Sequence, residues 1–281
     1  MKTVNSISGG KTSAYIAANY PADYDVFSLV RTSDKNCLYP DKKLRQIVSD
    51  KIGTEFIGTL EDDVIIHTIL DLEQFIGREI TWVTGKTFDK VIITTKKGTR
   101  YLPNKMARYC TTELKTMPIL SWIYKELKEP VVMRFGYRAN ETKRANKMIE
   151  KTDSEGYTKV KATFKKHKDG RNAWQDYRYC KPEFPLIKDN IYKDMIEEYW
   201  KDKGVRFAYM NNCVGCWWRS PLLLKKMSNK HPNKMQWFAN QETNKSKWRS
   251  DVMYKDIIKW NTQAELFDDD FNECDSGYCG I

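Results

Sequence analysis

The 281-residue chain carries 48 Lys and Arg against 37 Asp and Glu, a formal charge of +11. A hydrophobic content of 41%, with 13% aromatic, argues against a disordered chain, and no apolar run is long enough to cross a bilayer as a helix. The basic balance favours anionic partners: nucleotides, nucleic acid or an acidic protein.

The opening residues read as strand, tight turn, helix. Val4 and Ile7 precede Ser8, Gly9, Gly10, Lys11, Thr12 and Ser13, and a helix-favouring run starts at Ala14. Glycines let the backbone approach a ligand, and a new helix offers unpaired N–H groups and a positive dipole end. With three hydroxyls and Lys11 added, residues 8–13 predict a cradle for a phosphate or pyrophosphate. The plainer reading is a Gly-Gly turn.

Residues 25–32 read as a buried strand, a helix runs from Pro40 to about Gly53, and 54–59 suggest a third strand. This alternation predicts a parallel α/β sheet with helices on its faces, ligands lying at the strands' carboxyl ends. Arg31, Thr32 and Ser33 then fall near an adenine or ribose, or form an ordinary strand-end loop. A helix follows over 64–75. Residues 79–103 hold three strand-like runs punctuated by Gly85 and Gly98, predicting a small β insertion.

Arg108, Cys110 and Lys115 precede a helix over 119–128. A strand over 130–135 runs into Gly136, Arg138, Glu141 and Arg144. Guanidinium groups suit bidentate contact with phosphate or sulfate, and Glu141 can hold an arginine or help bind Mg2+. The alternative is a solvated ion-pair face. Residues 151–171 read as a polar, basic and mobile excursion, and Pro185, Leu186 and Ile187 precede an amphipathic helix over 191–203. Two domains are expected: a nucleotide-binding α/β domain over 1–205 and a helical, cysteine-bearing region over 206–281.

The seven cysteines, Cys37, Cys110, Cys180, Cys213, Cys216, Cys274 and Cys279, are odd in number. With no leader-like segment before the first strand, they suggest a cytoplasmic protein using metal or thiol chemistry rather than disulfides. Cys213 and Cys216 form a knuckle around Gly215, and Cys274 and Cys279 supply a second pair. Four thiolates could close a Zn2+ site or hold a [4Fe–4S] cluster, and spacing does not choose between them. Cys110, beside Arg108 and Lys115, could be a reactive thiolate, a ligand or a half-buried thiol. Cys37 and Cys180 read as structural.

Five stretches occur in an order that resembles the phosphoadenylylsulfate (PAPS) reductase and N-type ATP pyrophosphatase superfamily. They are residues 8–13; Arg108, Cys110, Thr111 and Lys115; Gly136, Arg138, Glu141 and Arg144; Pro185, Leu186 and Ile187; and Cys213 with Cys216. The resemblance covers roughly residues 1–220. It implies a Rossmann-like sheet of the adenine nucleotide α-hydrolase type with a pyrophosphate loop. It also implies an enzyme using ATP and Mg2+, cleaving between the α and β phosphates to adenylylate an acceptor for sulfur transfer to a nucleic acid or small molecule. Lys11, Lys115, Arg138 and Arg144 would carry the phosphate charge. Two other functions stay open. One is a sulfonucleotide reductase working with thioredoxin, with Cys279 or Cys110 as nucleophile. The other is a non-catalytic nucleotide- or nucleic-acid-binding protein. The related adenylylsulfate reductases have a Cys-Cys pair where this chain has Tyr109 and Cys110, so their cluster pattern is not intact. PAPS reductases end in Glu-Cys-Gly-Ile or a close variant, against Tyr278, Cys279, Gly280 and Ile281 here. Cys279 cannot easily serve as both fixed ligand and nucleophile; nearby Cys274 favours the ligand role.

Lys159, Lys161, Lys165, Lys166, Lys168 and Arg171, with Trp174 beyond, could track a phosphate backbone with an aromatic for stacking, or be a solvated face. Trp217, Trp218 and Arg219 adjoin the knuckle. Trp237, Trp248 and Trp260 read as core.

Overall fold

The computed structural model describes residues 1–93 and 101–261. Its elements run β1 (Thr3–Ile7), α1 (Lys11–Asn19), β2 (Tyr24–Leu29), α2 (Lys42–Ile52), α3 (Val64–Ile76), β3 (Ile80–Thr84), α4 (Phe88–Val91), α5 (Tyr109–Thr111), α6 (Met117–Trp122), β4 (Val131–Arg134), α7 (Thr142–Ile149), β5 (Lys159–Ala162), β6 (Gln175–Arg178), β7 (Cys180–Glu183), α8 (Pro185–Lys188), α9 (Lys193–Trp200), α10 (Pro221–Lys230), α11 (Pro232–Gln241) and α12 (Tyr254–Lys259). Two π-helical turns, Thr112–Thr116 and Ile123–Leu127, make residues 109–127 one helical stretch. No helix of the described residues is long and apolar enough to cross a membrane.

The α/β architecture agrees with the sequence. Five strands form one sheet in the order β3-β2-β1-β4-β7, with β1 parallel to β2 and β4, and β4 parallel to β7. Val26, Phe27, Ser28 and Leu29 are all buried, as expected for a strand covered on both faces. The order places β1 at the centre. The chain builds outward through β2 and β3 on one side, then returns to β1's other side with β4 and β7. Strand order therefore reverses between β1 and β4, the switch point where open α/β sheets form a crevice at the strands' carboxyl ends.

Three sequence expectations are corrected. Residues 54–59 form no strand: they make an isolated bridge between Thr32 and Gly58, and the Phe56 amide donates to Ser49 Oγ at 2.9 Å. The segment 79–103 is not a separate insertion, because Ile80–Thr84 is an edge strand of the main sheet, with Ile80, Trp82 and Val83 buried. Its second expected strand starts inside α4, and residues 94–100 lie outside the described residues. The 151–171 excursion is also partly ordered, since β5 pairs antiparallel with β6. The strand β7, which sequence reading did not propose, carries Pro182 and sits at the sheet's other edge, where a missing N–H is tolerated.

The chain resolves into two compact units. The first joins Met1–Phe27, Thr68–Thr81 and Met117–Phe207. In it α1 packs on β1 and α9, and the Trp200 indole donates to the Lys11 carbonyl at 3.0 Å. Arg78 is tied to buried Asp25 at 2.6 Å.

The second unit joins Ser28–His67, Trp82–Thr116 and Ala208–Ile281. Helix α2 begins where Asp41 accepts from the Lys43 and Leu44 amides at 2.7 and 3.0 Å, a cap worth about 1 kcal/mol. The core here is aromatic. Phe238 lies 5.0 Å from both Trp237 and Trp248, ring centre to ring centre, and 5.9 Å from Phe88. Trp237 and Trp248 are core residues as expected, while Trp260 is packed against the core and only partly buried.

Candidate functional site

The sequence-derived residues fall into two groups, one in each unit. In the first unit, β1 ends at Ile7 and α1 begins at Lys11. Gly9 takes φ = 78°, a left-handed conformation that disfavours a side chain. The Ser8 amide donates to Ser13 Oγ at 3.1 Å, and Ser13 Oγ donates to the Gly10 carbonyl at 3.0 Å. Residues 8–13 are thus a curled, internally bonded turn. Gly10 caps α1 without a side-chain bond, so Lys11, Thr12 and Ser13 open the helix with N–H groups that have no intrahelical acceptor.

Gly136, two residues past β4, closes on this turn. A Cβ built there would lie 3.2 Å from Thr12 Cγ2 and 3.6 Å from the Ser13 nitrogen. The loops after β1 and β4 therefore touch at the switch point, which accounts for a glycine at 136. Beyond it, Glu141 accepts from the Arg138 amide at 2.9 Å, Arg138 Nε at 3.1 Å and Arg144 Nη1 at 2.6 Å. The Arg144 guanidinium lies 4.2 Å from the Tyr137 ring centre. Holding arginines is one of the roles foreseen for Glu141. Lys11 forms an ion pair with Glu197 on α9.

In the second unit, Arg108, Cys110, Lys115, Cys213 and Cys216 line one open pocket with Trp217 and Trp218. Sequence spacing could not show that Cys110 joins the knuckle there. Lys115 pairs at 3.1 Å with Glu61, which is 1% exposed and whose backbone bridges to Cys213. The knuckle is shaped by protein groups. Arg219, 1% exposed, donates to the Asn211 and Cys213 carbonyls at 2.6 and 3.2 Å, and Tyr254 donates to the Gly215 carbonyl at 3.1 Å. Cys37 and Cys180 are different thiols. Burial pushes each up to about 12, with Asp34 adding to the rise at Cys37 and a Thr158 hydrogen bond opposing it at Cys180.

Cys213 and Cys216 sit in one turn, the Cys216 amide bonding the Cys213 carbonyl at 3.1 Å. Among the described residues, however, no group of three or more His, Cys, Asp or Glu is placed to hold a metal ion. Cys274 and Cys279, the other expected ligands, lie outside the described residues.

Arg31, Thr32 and Ser33 have protein partners throughout. Arg31 Nε donates to Thr84 Oγ1 at 2.9 Å and Nη2 to the Gly85 carbonyl at 2.9 Å. Asp89 accepts from the Thr32 hydroxyl at 2.9 Å and the Ser33 amide at 2.7 Å, and from the Trp237 indole at 3.0 Å. These bonds account for the segment as the frame of its own loop.

Sequence reasoning missed a buried charge network. Lys234 donates to the Glu61 carbonyl and to Asp63, both at 2.7 Å. Asp62, 1% exposed, meets His231 and Lys230, each at 3.1 Å. Burial alone would raise the Asp62 carboxyl, but hydrogen bonds from His231, the Val64 amide and Lys230 hold it well below the usual range. Three consecutive acids ahead of apolar α3 were the visible signal; their partners, about 170 residues on, were not.

Comparison with protein-family models, curated proteins and solved structures gives no match.

Proposed function

We propose that the chain is a pyrophosphate-loop enzyme that binds ATP with Mg2+ and cleaves it to AMP and pyrophosphate to adenylylate an acceptor. The observation that carries this reading is the serine- and glycine-bearing turn at the carboxyl end of the sheet's central strand, with Gly136 of the neighbouring strand's loop against it. A helix N-terminus at a strand-order reversal is where α/β sheets hold phosphates. In this reading, N–H groups at the start of α1 and the hydroxyls of Ser8 and Thr12 hold the β and γ phosphates. Lys11 leaves Glu197 to meet the same charge. Both partners are about one-third exposed, so that exchange costs no more than about 1 kcal/mol.

An acceptor oxygen attacks the α-phosphorus. A P–O bond forms as the bond to the β phosphate breaks, and pyrophosphate leaves with the electron pair. Arg144, held by Glu141, is the further cation available to the leaving group. A sulfur nucleophile then displaces AMP from the acceptor carbon. Cys110, Cys213 and Cys216 lining one pocket support sulfur chemistry as the purpose of adenylylation.

The test is incubation of the full chain with α-labelled ATP, Mg2+, candidate acceptors and sulfide as the sulfur nucleophile, with labelled nucleotides separated and pyrophosphate measured by a coupled assay. AMP and pyrophosphate in equal amounts, lost in Lys11→Ala, are expected. ADP as the product overturns the reading, as does PAPS reduction without ATP cleavage.

A further inference from the structure

The basic excursion is an ordered hairpin whose outer face is a candidate interaction surface. Lys159 pairs with Arg178 and Lys161 with Asp176 across β5 and β6. Pairing resumes nearer the tip, where Lys166 bridges Asn172 and the His167 amide bonds the Arg171 carbonyl at 2.8 Å. The inner face is anchored: Phe164 stacks on Tyr124 with ring centres 4.2 Å apart, and Tyr177 meets both rings edge-on. The hairpin is therefore braced on one face by its aromatic side chains.

Residues 159–178 carry seven Lys or Arg against two Asp, close to half of the chain's net charge in a small fraction of its length. Some of that charge is internally neutralised. Lys159 pairs with Asp153 at 3.3 Å, Arg178 with Asp153 at 2.9 Å, and Arg171 with Asp169 at 2.6 Å. Lys161, Lys165, Lys166 and Lys168 are exposed and have no carboxylate partner among the described residues. Trp174 is 57% exposed. It directly precedes β6, on the return side of the hairpin that carries the four lysines. An exposed indole on the same hairpin as four exposed lysines suits a polymer with evenly spaced negative charges and accessible planar rings.

We infer that this hairpin binds single-stranded polynucleotide, the four lysines following the phosphates and Trp174 stacking on a base. A duplex presents phosphates but no free base faces, and an acidic peptide has no planar rings in register with its charge; the Trp174 position favours the single strand. The inference does not rest on ATP cleavage, because binding is measured without nucleotide.

The test is fluorescence anisotropy with labelled twenty-residue oligothymidylate and oligouridylate, a duplex of equal length, and heparin as competitor. Four lysines on a single strand give a slope of log K against log salt of about −3, or about 50-fold weaker binding between about 50 and 200 mM salt. Substituting all four lysines by alanine should remove that slope. Trp174→Ala should weaken single-strand binding by about 5- to 150-fold and abolish the quenching of indole fluorescence. The ratio of oligothymidylate to oligouridylate affinity tells DNA from RNA. Unchanged melting temperatures of both variants confirm that folding is intact. Absence of single-strand binding, equal affinity for duplex, displacement by heparin with no Trp174 dependence, or an undiminished salt slope in the four-lysine variant each overturns the inference.

Discussion

Gly215 lies inside the cysteine knuckle, and the structure gives a steric reason for it. A Cβ at position 215 would stand 2.4, 2.5 and 2.8 Å from Phe238 Cγ, Cδ2 and Cδ1. Carbon atoms pack at about 3.5–4.0 Å, so the ring must retreat by about 1 Å. It has little room, being 1% exposed and enclosed by Phe88, Trp237, Trp248 and Tyr254. Overpacking of this kind costs about 1–3 kcal/mol, and a ring confined on several sides belongs at the upper end. Gly215→Ala should therefore lower the melting temperature by roughly 6–12 °C, at about 2–4 °C per kcal/mol for a protein of this size class. Phe238→Leu, a smaller side chain at the same place, should cost about 1–2 kcal/mol alone. The double variant should be more stable than the sum of the singles by at least about 1 kcal/mol. Urea unfolding followed by tryptophan fluorescence measures all four corners. Additivity within about 0.5 kcal/mol, or a Gly215→Ala variant as stable as wild type, refutes the steric account.

Three further outcomes follow from the described contacts. Glu141→Gln weakens three hydrogen bonds to two arginines and should cost about 2–4 kcal/mol in urea unfolding; a change below about 0.5 kcal/mol contradicts the bracing role. Because the folded Asp62 carboxyl is held low, its contribution is fully present above the unfolded value of about 3.9 and drains away as pH falls toward the folded one. Asp62→Asn should thus cost about 2 kcal/mol near neutrality and flatten the acid limb of the stability profile, and an unchanged limb contradicts the pairing. Cys37 and Cys180, raised to about 12, should have about one thiolate in 10⁴ at pH 8. Peptide mass spectrometry after native iodoacetamide treatment should find both unmodified, and labelling of either before unfolding contradicts their burial.

Local chemistry made much of the fold legible. The Gly-Gly turn, the apolar run of β2 and the helix between Pro40 and Gly53 are each written within a few residues. What was missed depends on distant partners. Residues 54–59 have strand composition, yet one bridge and a Ser49 hydroxyl satisfy their backbone. Ile80–Thr84 resembled an insertion because glycines flank it, and only its place beside β2 shows otherwise. For the site, residues 8–13 and Gly136 were readable as a turn and a strand end, while their contact was not. The polar character of segment 31–33 was legible, but not its partners: Asp89, more than fifty residues away, accepts from Thr32 and Ser33, and Thr84 and Gly85 from Arg31. The convergence of Cys110 with Cys213 and Cys216 on one pocket likewise belongs to tertiary structure.

The claim on which the functional account rests is that residues 8–13 hold the phosphates of a nucleotide. Titration calorimetry of the full chain with Mg2+-ATP, beside Lys11→Ala, tests it most directly. The account predicts saturable one-site binding by the wild type and at least about 10-fold weaker binding by the variant, the loss expected for one charge-assisted contact. Equal affinity in both proteins, or no binding to the wild type, contradicts it.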